Sequence, residues 1–380
     1  MNQWLYLEDE ATNLAESFLQ GWSELQPYGG ILALVSEKSQ AIIPSLQKLS
    51  REHQVSIVGA VFPELIVSNE FKNTGVLLLW MSEMPDYYLG EAGSAADKEA
   101  PGPIEAITQL IDESADTSSL KKTLFLIFDG MVPNIATLLD DIYAEIGNEV
   151  FYCGVNAGSE TFEPTPCLFN QDRIEQNGVL ALLGKKHLTS YLKHGYQQPS
   201  NTFIASASEG NCIKQINFQP AFQVYQQLIN DHFGITLTQE NFYTYASHFP
   251  FGIKLAEGEA LVRVPIKLED DGSIRCAGEI SENSLLMIME GVKPGESSVP
   301  DAIFEYSSQF PDGLDLFFYC AGRRIHLESS AEIELKNLER SFSPNGMIGA
   351  LSLGEIGSIK QSRYPLFHNA SIVVLAGLLK

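Results

Sequence analysis

The sequence predicts an α/β protein with mixed sheets, in two domains built around strand-helix-strand units. Three observations predict it. An apolar strand, an amphipathic helix and a second apolar strand recur three times along the chain. Of the 380 residues, 44% are hydrophobic and 19% charged, the balance of a chain that buries sizeable cores. A polar, turn-rich stretch, His194-Gly195-Tyr196-Gln197-Gln198-Pro199-Ser200-Asn201, separates two halves of similar size.

The first unit is Ile31 to Val35, a helix near Ser39 to Glu52, and Val55 to Gly59. The second is Thr123 to Phe128, a helix opening at Pro133, and Glu149 to Gly154. Proline suits a first helical turn, where its missing N–H costs no hydrogen bond. The third is Leu314 to Cys320, a helix from about Ser329 to Arg340 with Glu332 and Glu334 near its start, and Met347 to Ser352. Such units make right-handed crossovers between parallel strands. Other apolar runs, Ala260 to Ile266 and Leu285 to Met289, read as strands joined by turns, so the sheets are expected to be mixed. Between Glu83 and Lys122 the pattern breaks, and the stretch reads as a long, solvated acidic loop with one short helix near Ile104 to Glu113. The expected domains are 1–200 and 201–380.

The formal net charge of −24 argues against nucleic acid and anionic membranes as partners. The N-terminus lacks the basic start and apolar core of a signal peptide, and no apolar run is long enough to span a membrane. Five scattered cysteines without a CxxC pair read as free buried thiols in a reducing compartment, so the expected location is cytoplasmic.

The chemistry-bearing residues gather near the C-terminus. Cys320-Ala321-Gly322-Arg323-Arg324 follows one apolar strand, Gly354-Glu355-Ile356-Gly357 another, and Phe367-His368-Asn369 precedes the last. A guanidinium binds a carboxylate bidentately, and a carboxylate between glycines can hold an ammonium group. Arg323 or Arg324 with Glu355 would form a bipolar clamp for an amino-acid-like ligand. His368 and Asn369 would add neutral hydrogen bonds. One arginine rather than both should face the ligand, because neighbours on an extended stretch point to opposite faces. The competing reading pairs the arginines with acidic residues of the protein, Glu355 among them. The turn Gly154 to Ser159 reads as close-packed backbone, with Asn156 as a candidate ligand contact. No GxSxG, HExxH or cysteine-histidine signature marks an enzyme. Cys320, beside two arginines, is the one candidate nucleophile and otherwise a buried strand-end thiol.

The order and spacing of these pieces resemble the FIST (F-box and intracellular signal transduction) family, with its N- and C-terminal domains. The resemblance rests on Gly154-Val155-Asn156-Ala157-Gly158-Ser159, Thr165 to Phe169 and Gly178 to Leu183 in the first half. In the second it rests on His194-Gly195-Tyr196, Pro220 to Tyr225, Phe249-Pro250-Phe251-Gly252 and the three C-terminal pieces. It covers the chain from about Gly30 onward. Two departures stand out: Gly154-Val155 replaces a glycine pair, and Gly195-Tyr196-Gln197-Gln198-Pro199 replaces a Gly-x-x-Pro-Gly turn. The resemblance implies a non-catalytic intracellular sensor of small ligands such as amino acids. Its signalling partner would be a histidine kinase or a cyclic-dinucleotide enzyme. It also implies an alternative, a haem-bound nitric oxide sensor regulating a histidine kinase. The histidines are His53, His187, His194, His232, His248, His326 and His368, and His194 is the candidate axial ligand.

Overall fold

The computed structural model describes residues 4–8, 18, 29–81, 83–93, 101–114, 122–184, 188–256, 259–292, 296–310, 315–342, 346–358 and 363–377. Strand-helix-strand units and mixed sheets carry the architecture. Three six-stranded sheets have the same strand order and pairing sense, and a fourth, antiparallel sheet is inserted into the third repeat.

The first repeat runs β1 (Trp4–Leu7), β2 (Gly30–Ser36), α1 (Ile43–His53), β3 (Ser56–Phe62), β4 (Leu65–Val67), β5 (Glu70–Lys72) and β6 (Val76–Met81). The second runs β7 (Asp86–Glu91), α2 (Pro103–Glu113), β8 (Lys122–Asp129), α3 (Ile135–Ile146), β9 (Val150–Ala157), β10 (Leu168–Asn170), β11 (Ile174–Glu175) and β12 (Gly178–Gly184). The third begins with β13 (Thr189–Lys193). The inserted unit follows: β14 (Phe203–Glu209), β15 (Cys212–Ile216), β16 (Gln219–Pro220), α4 (Ala221–Phe233), α5 (Phe242–Ala246), β17 (Phe251–Ile253), β18 (Leu261–Arg263), β19 (Pro265–Leu268), β20 (Ile274–Cys276) and β21 (Leu285–Ile288). The third repeat resumes with α6 (Val299–Ser307), β22 (Leu316–Cys320), α7 (Ala321–Leu327), α8 (Ser330–Leu338), β23 (Ile348–Ser352), β24 (Glu355–Gly357), β25 (Leu366–His368) and β26 (Ile372–Ala376).

Each repeat holds one parallel pair: β2 with β3, β8 with β9, and β22 with β23. Each sends its next hairpin to a neighbouring sheet. The β4–β5 hairpin pairs with β23, β24–β25 with β9, and β10–β11 with β3. The exchange is cyclic and in register: Leu65 faces Ala350, Glu355 faces Val155 and Leu168 faces Ala60. All three sheets turn a face into one core, where the Phe318 ring lies 5.7 Å from Phe62 and 6.2 Å from Phe125. Burial on both faces explains why the central strands read as continuous apolar runs.

Several local expectations change. Within Glu83 to Lys122, expected as loop plus helix, Asp86–Glu91 forms strand β7 against β12. Residues 94–100 and 115–121 of that stretch lie outside the described residues. The third unit's helix lies at Ser330–Leu338 as expected, and a further helix, Ala321–Leu327, precedes it directly after β22. Residue 200 falls between β13, which pairs with β26, and the inserted unit. Among the described residues no helix is long and apolar enough to cross a membrane.

Candidate functional site

The inserted unit lies against the ends of the second and third repeats, leaving a narrow cleft of about 40 Å³. Its floor is Cys320, Ala321, Gly322, Leu353 and Asn369 from the core, and its opposite wall is Val264, Pro265, Ile266 and Ala277. Glu160, Phe162, Tyr243 and Ser247 complete it, and it opens into a wider groove past Gly278 and Glu279.

Repeat equivalence explains what is special at this end. Leu65, Leu168 and Glu355 take the same position in the cyclic hairpin exchange, so the third repeat buries a carboxyl where the others bury leucine. Cys320 pairs with Ser352 as Ser36 pairs with Phe62 and Asp129 with Ala157. Glu355 is fully buried and held by hydroxyls: Ser352 Oγ donates to Oε1 and Ser371 Oγ to Oε2, both at 2.6 Å. Burial raises its pKa to about 7 against those bonds, so it titrates within the neutral range.

Cys320 sits between that carboxyl and the cleft. Its Sγ accepts the Ala370 N–H at 3.0 Å and faces the Gly322 and Arg323 amides. Burial and the neighbouring Glu355 nonetheless push the thiol upward, the reverse of an activated nucleophile. Asn369 is 1% exposed and lines the cleft. Its Nδ2 donates to the His368 carbonyl at 3.1 Å, while Oδ1 has no partner among the described residues. Asn156 lies beneath Leu353, its backbone bonded to Gly354 and Leu353 and its Oδ1 likewise unpaired. Gly354 must be glycine here, since a Cβ would meet the Phe367 ring at 2.5 Å. His368 is buried, and desolvation lowers its pKa to about 3, so it is neutral.

The arginines stand elsewhere. Arg323 and Arg324 belong to the opening turns of α7, not to an extended stretch, so the opposite-face argument does not apply. Arg323 is 2% exposed and forked onto Glu334, with Nε to Oε2 at 2.8 Å and Nη2 to Oε1 at 2.7 Å. Tyr319 Oη donates to the same carboxylate, and Ser297 Oγ and the His194 carbonyl accept two more of the guanidinium N–H groups. Arg324 pairs with Glu64 and covers the Phe71 ring at 4.2 Å, fastening the exchanged β4–β5 hairpin. Neither arginine meets Glu355, and neither they nor Glu355 lines the cleft, so no bipolar clamp forms. The internal ion pair weighed for the arginines is the one found, with Glu334 and Glu64 as its acids.

His194 is buried, accepts the Tyr196 N–H at Nδ1 (2.9 Å) and turns Nε2 toward Glu259 (3.3 Å). Desolvation lowers its pKa to about 4. Enclosure on both ring nitrogens does not fit a haem axial ligand, and among the described residues lining the cleft there is no histidine. His187 lies outside the described residues. Among the described residues no group of three His, Cys, Asp or Glu is placed to hold a metal ion.

Of the predicted residues, the fold brings Cys320, Glu355, His368 and Asn369 together with Asn156 close by. Glu160, Phe162, Tyr243 and Ser247 escaped sequence reasoning, although Glu160 directly follows the Gly154–Ser159 turn. Tyr243 and Ser247 immediately precede Phe249-Pro250-Phe251-Gly252.

This fold is a mixed-sheet α/β architecture, and the cysteine of its cleft is a buried thiol, not an activated nucleophile. The FIST N domain model matches residues 31–219 and the FIST C domain model residues 221–358. The chain belongs to the FIST family, whose domains serve sensing in signal transduction and bind small ligands. The boundary between the two matches falls inside the inserted unit; of the cleft residues, Glu160 and Phe162 lie in the first match, Tyr243 to Leu353 in the second, and Asn369 beyond both. No curated protein matches the chain.

Proposed function

We propose that this protein is a sensor that holds a small ligand in the cleft between the third repeat and the inserted unit. One observation carries the reading: Asn369, which lines a mostly apolar cleft, is 1% exposed and leaves its amide oxygen without a partner among the described residues. Leaving such an acceptor unbonded costs on the order of 1–3 kcal/mol, which a ligand donor recovers. Mostly apolar walls with a few convergent polar groups are the usual make-up of a small-molecule site.

The ligand would bridge the core and the inserted unit, which Glu279 already joins. Its carboxylate accepts the Ala136 N–H at 2.6 Å and the Thr137 hydroxyl at 2.5 Å, capping α3 from across the groove. A ligand that favours one placement of the inserted unit changes the outer surface offered to a partner. A histidine kinase or a cyclic-dinucleotide enzyme is the partner class proposed. Five free, buried cysteines favour a reducing, cytoplasmic setting.

The test is thermal unfolding of the full chain across a panel of small metabolites, repeated with Ile325→Trp, which fills the cleft from its rim. A binder at 100 times its Kd adds about 2.7 kcal/mol to wild type. The variant should lose that increment. Equal stabilisation of both proteins would refute the cleft as the site.

A further inference from the structure

The cleft is too narrow to take a ligand without moving one of its sides, and that identifies the element able to register occupancy. This inference rests on the sensory reading above. Small-molecule sites span about 300–1,000 Å³. The cleft, at about 40 Å³, offers little more than room for water. A ligand of several heavy atoms therefore separates the wall of Val264, Pro265, Ile266 and Ala277 from the floor of Leu353 and Asn369.

Each side of the cleft continues into a hold on the same helix, α3. Two residues after Ala277, Glu279 caps its first turn, Oε2 accepting the Ala136 N–H at 2.6 Å and Oε1 the Thr137 N–H at 3.3 Å. Asn134, the helix's own N-cap residue, makes no side-chain cap bond. The floor residues flank the β24–β25 hairpin, Leu353 two residues before it and Asn369 directly after it. At the end of the hairpin away from the cleft, the Tyr364 hydroxyl donates to Asp140 of α3, and its ring meets that of Tyr143 edge-on at 4.7 Å.

Arg263 joins the two holds. Its buried guanidinium donates through Nε to the Glu279 carbonyl at 2.9 Å and through Nη1 to the Phe367 carbonyl of β25 at 3.0 Å. The two sides are not equally fixed. The hairpin is paired with β9, Ile356 against Gly154, whereas the inserted sheet shares no strand pairing with the three core sheets among the described residues. The wall is the side that yields.

We propose that α3 is the lever that carries cleft occupancy to the protein surface. A ligand displaces the wall, Glu279 draws the first turn of α3 with it, and the hairpin holds the helix further along. The helix has 12 residues and a length of about 18 Å, so it moves as one body. Its exposed face, with Thr137, Asp140, Asp141, Ala144 and Glu145, presents the change outward.

Spin labels on Ala144→Cys in α3 and Lys48→Cys in α1 of the first repeat test this in the full chain. Both positions are exposed, while the five native cysteines are buried. Ile325→Trp and Ala277→Leu wedge the cleft from opposite sides in place of a ligand. Each should shift the mean distance between the labels by about 2 Å, and adding Glu279→Ala should abolish the shift. Either wedge suffices where the other fails to fold. An unchanged distance in every folded wedge variant overturns the proposal, as does a shift that survives Glu279→Ala. No ligand is present, so this test and the metabolite panel fail separately: a shift here with no stabilising metabolite would keep the lever and refute the cleft as a sensor site.

Discussion

Glu355 occupies the sheet position that Leu168 holds one repeat earlier. Both open the exchanged hairpin and pair with the residue two before the end of a neighbouring strand, Val155 for the glutamate and Ala60 for the leucine. A structure built for stability alone would keep leucine, as the first repeat does with Leu65. The substitution places a titrating group under the cleft floor, and its consequences are measurable.

The first concerns pH. The folded pKa of Glu355, about 7, lies above the ordinary value of 4.5, so the folded state binds more protons than the unfolded state in that window. Its contribution to stability is full at acid pH and declines as pH rises from about 4.5 through 7. The loss is at most about 3.4 kcal/mol, since each pH unit between the two values is worth about 1.36 kcal/mol. Glu355→Gln should flatten this limb, read as the difference between wild-type and variant urea midpoints at pH 5 and pH 8. An unchanged difference would mean that Glu355 is already ionised in the folded protein.

Histidines act in the opposite sense. His194 and His326 fall to about 4 and His368 to about 3, all by desolvation. They stay neutral when folded and gain protons when unfolded, so their contribution is present above about 6.5 and lost as pH falls toward 4. His368→Phe should reduce the acid sensitivity of the urea midpoint between pH 6.5 and 4. A variant with the acid limb of wild type would show that His368 is already accessible to protons.

Arg323 is expected to matter for folding rather than binding. Removing it strands the buried Glu334 carboxylate, and loss of one partner from such a pair costs about 3–5 kcal/mol. Arg323→Met should show that loss in chemical denaturation, while the double change with Glu334→Leu should recover part of it. A single variant of wild-type stability that has lost ligand binding would return Arg323 to the ligand.

Glu279→Ala removes the cap that the inserted unit places on α3. The expected cost is about 0.5–2 kcal/mol, with faster hydrogen exchange at Ala136 and Thr137. Exchange there at the wild-type rate would show that the two parts are held by other contacts.

The strand-helix-strand units were legible because each is written in local periodicity: Ile31 to Val35, Thr123 to Phe128 and Ile348 to Ser352 all lie on strands. The cyclic exchange was not, because pairing of Leu65 with Ala350 joins residues far apart in sequence and leaves no local mark. Strand β7 was hidden by its acidic ends, Asp86 and Glu91, around a short Tyr-Tyr-Leu core. The placement of Cys320, Glu355 and Asn369 at or beside strand ends was legible because glycines and turns flag such positions. Arg323 misled because a charge following a strand end says nothing about which buried acid awaits it. Glu160 and Tyr243 reach the cleft from different parts of the chain, so only the folded arrangement reveals them together.

Native mass spectrometry of the protein as purified tests the central claim most directly, with wild type and Ile325→Trp compared side by side. The account predicts a small-molecule mass increment on wild type that is absent from the variant. The same increment on both proteins, no increment on either, or a retained haem with its Soret band would contradict it.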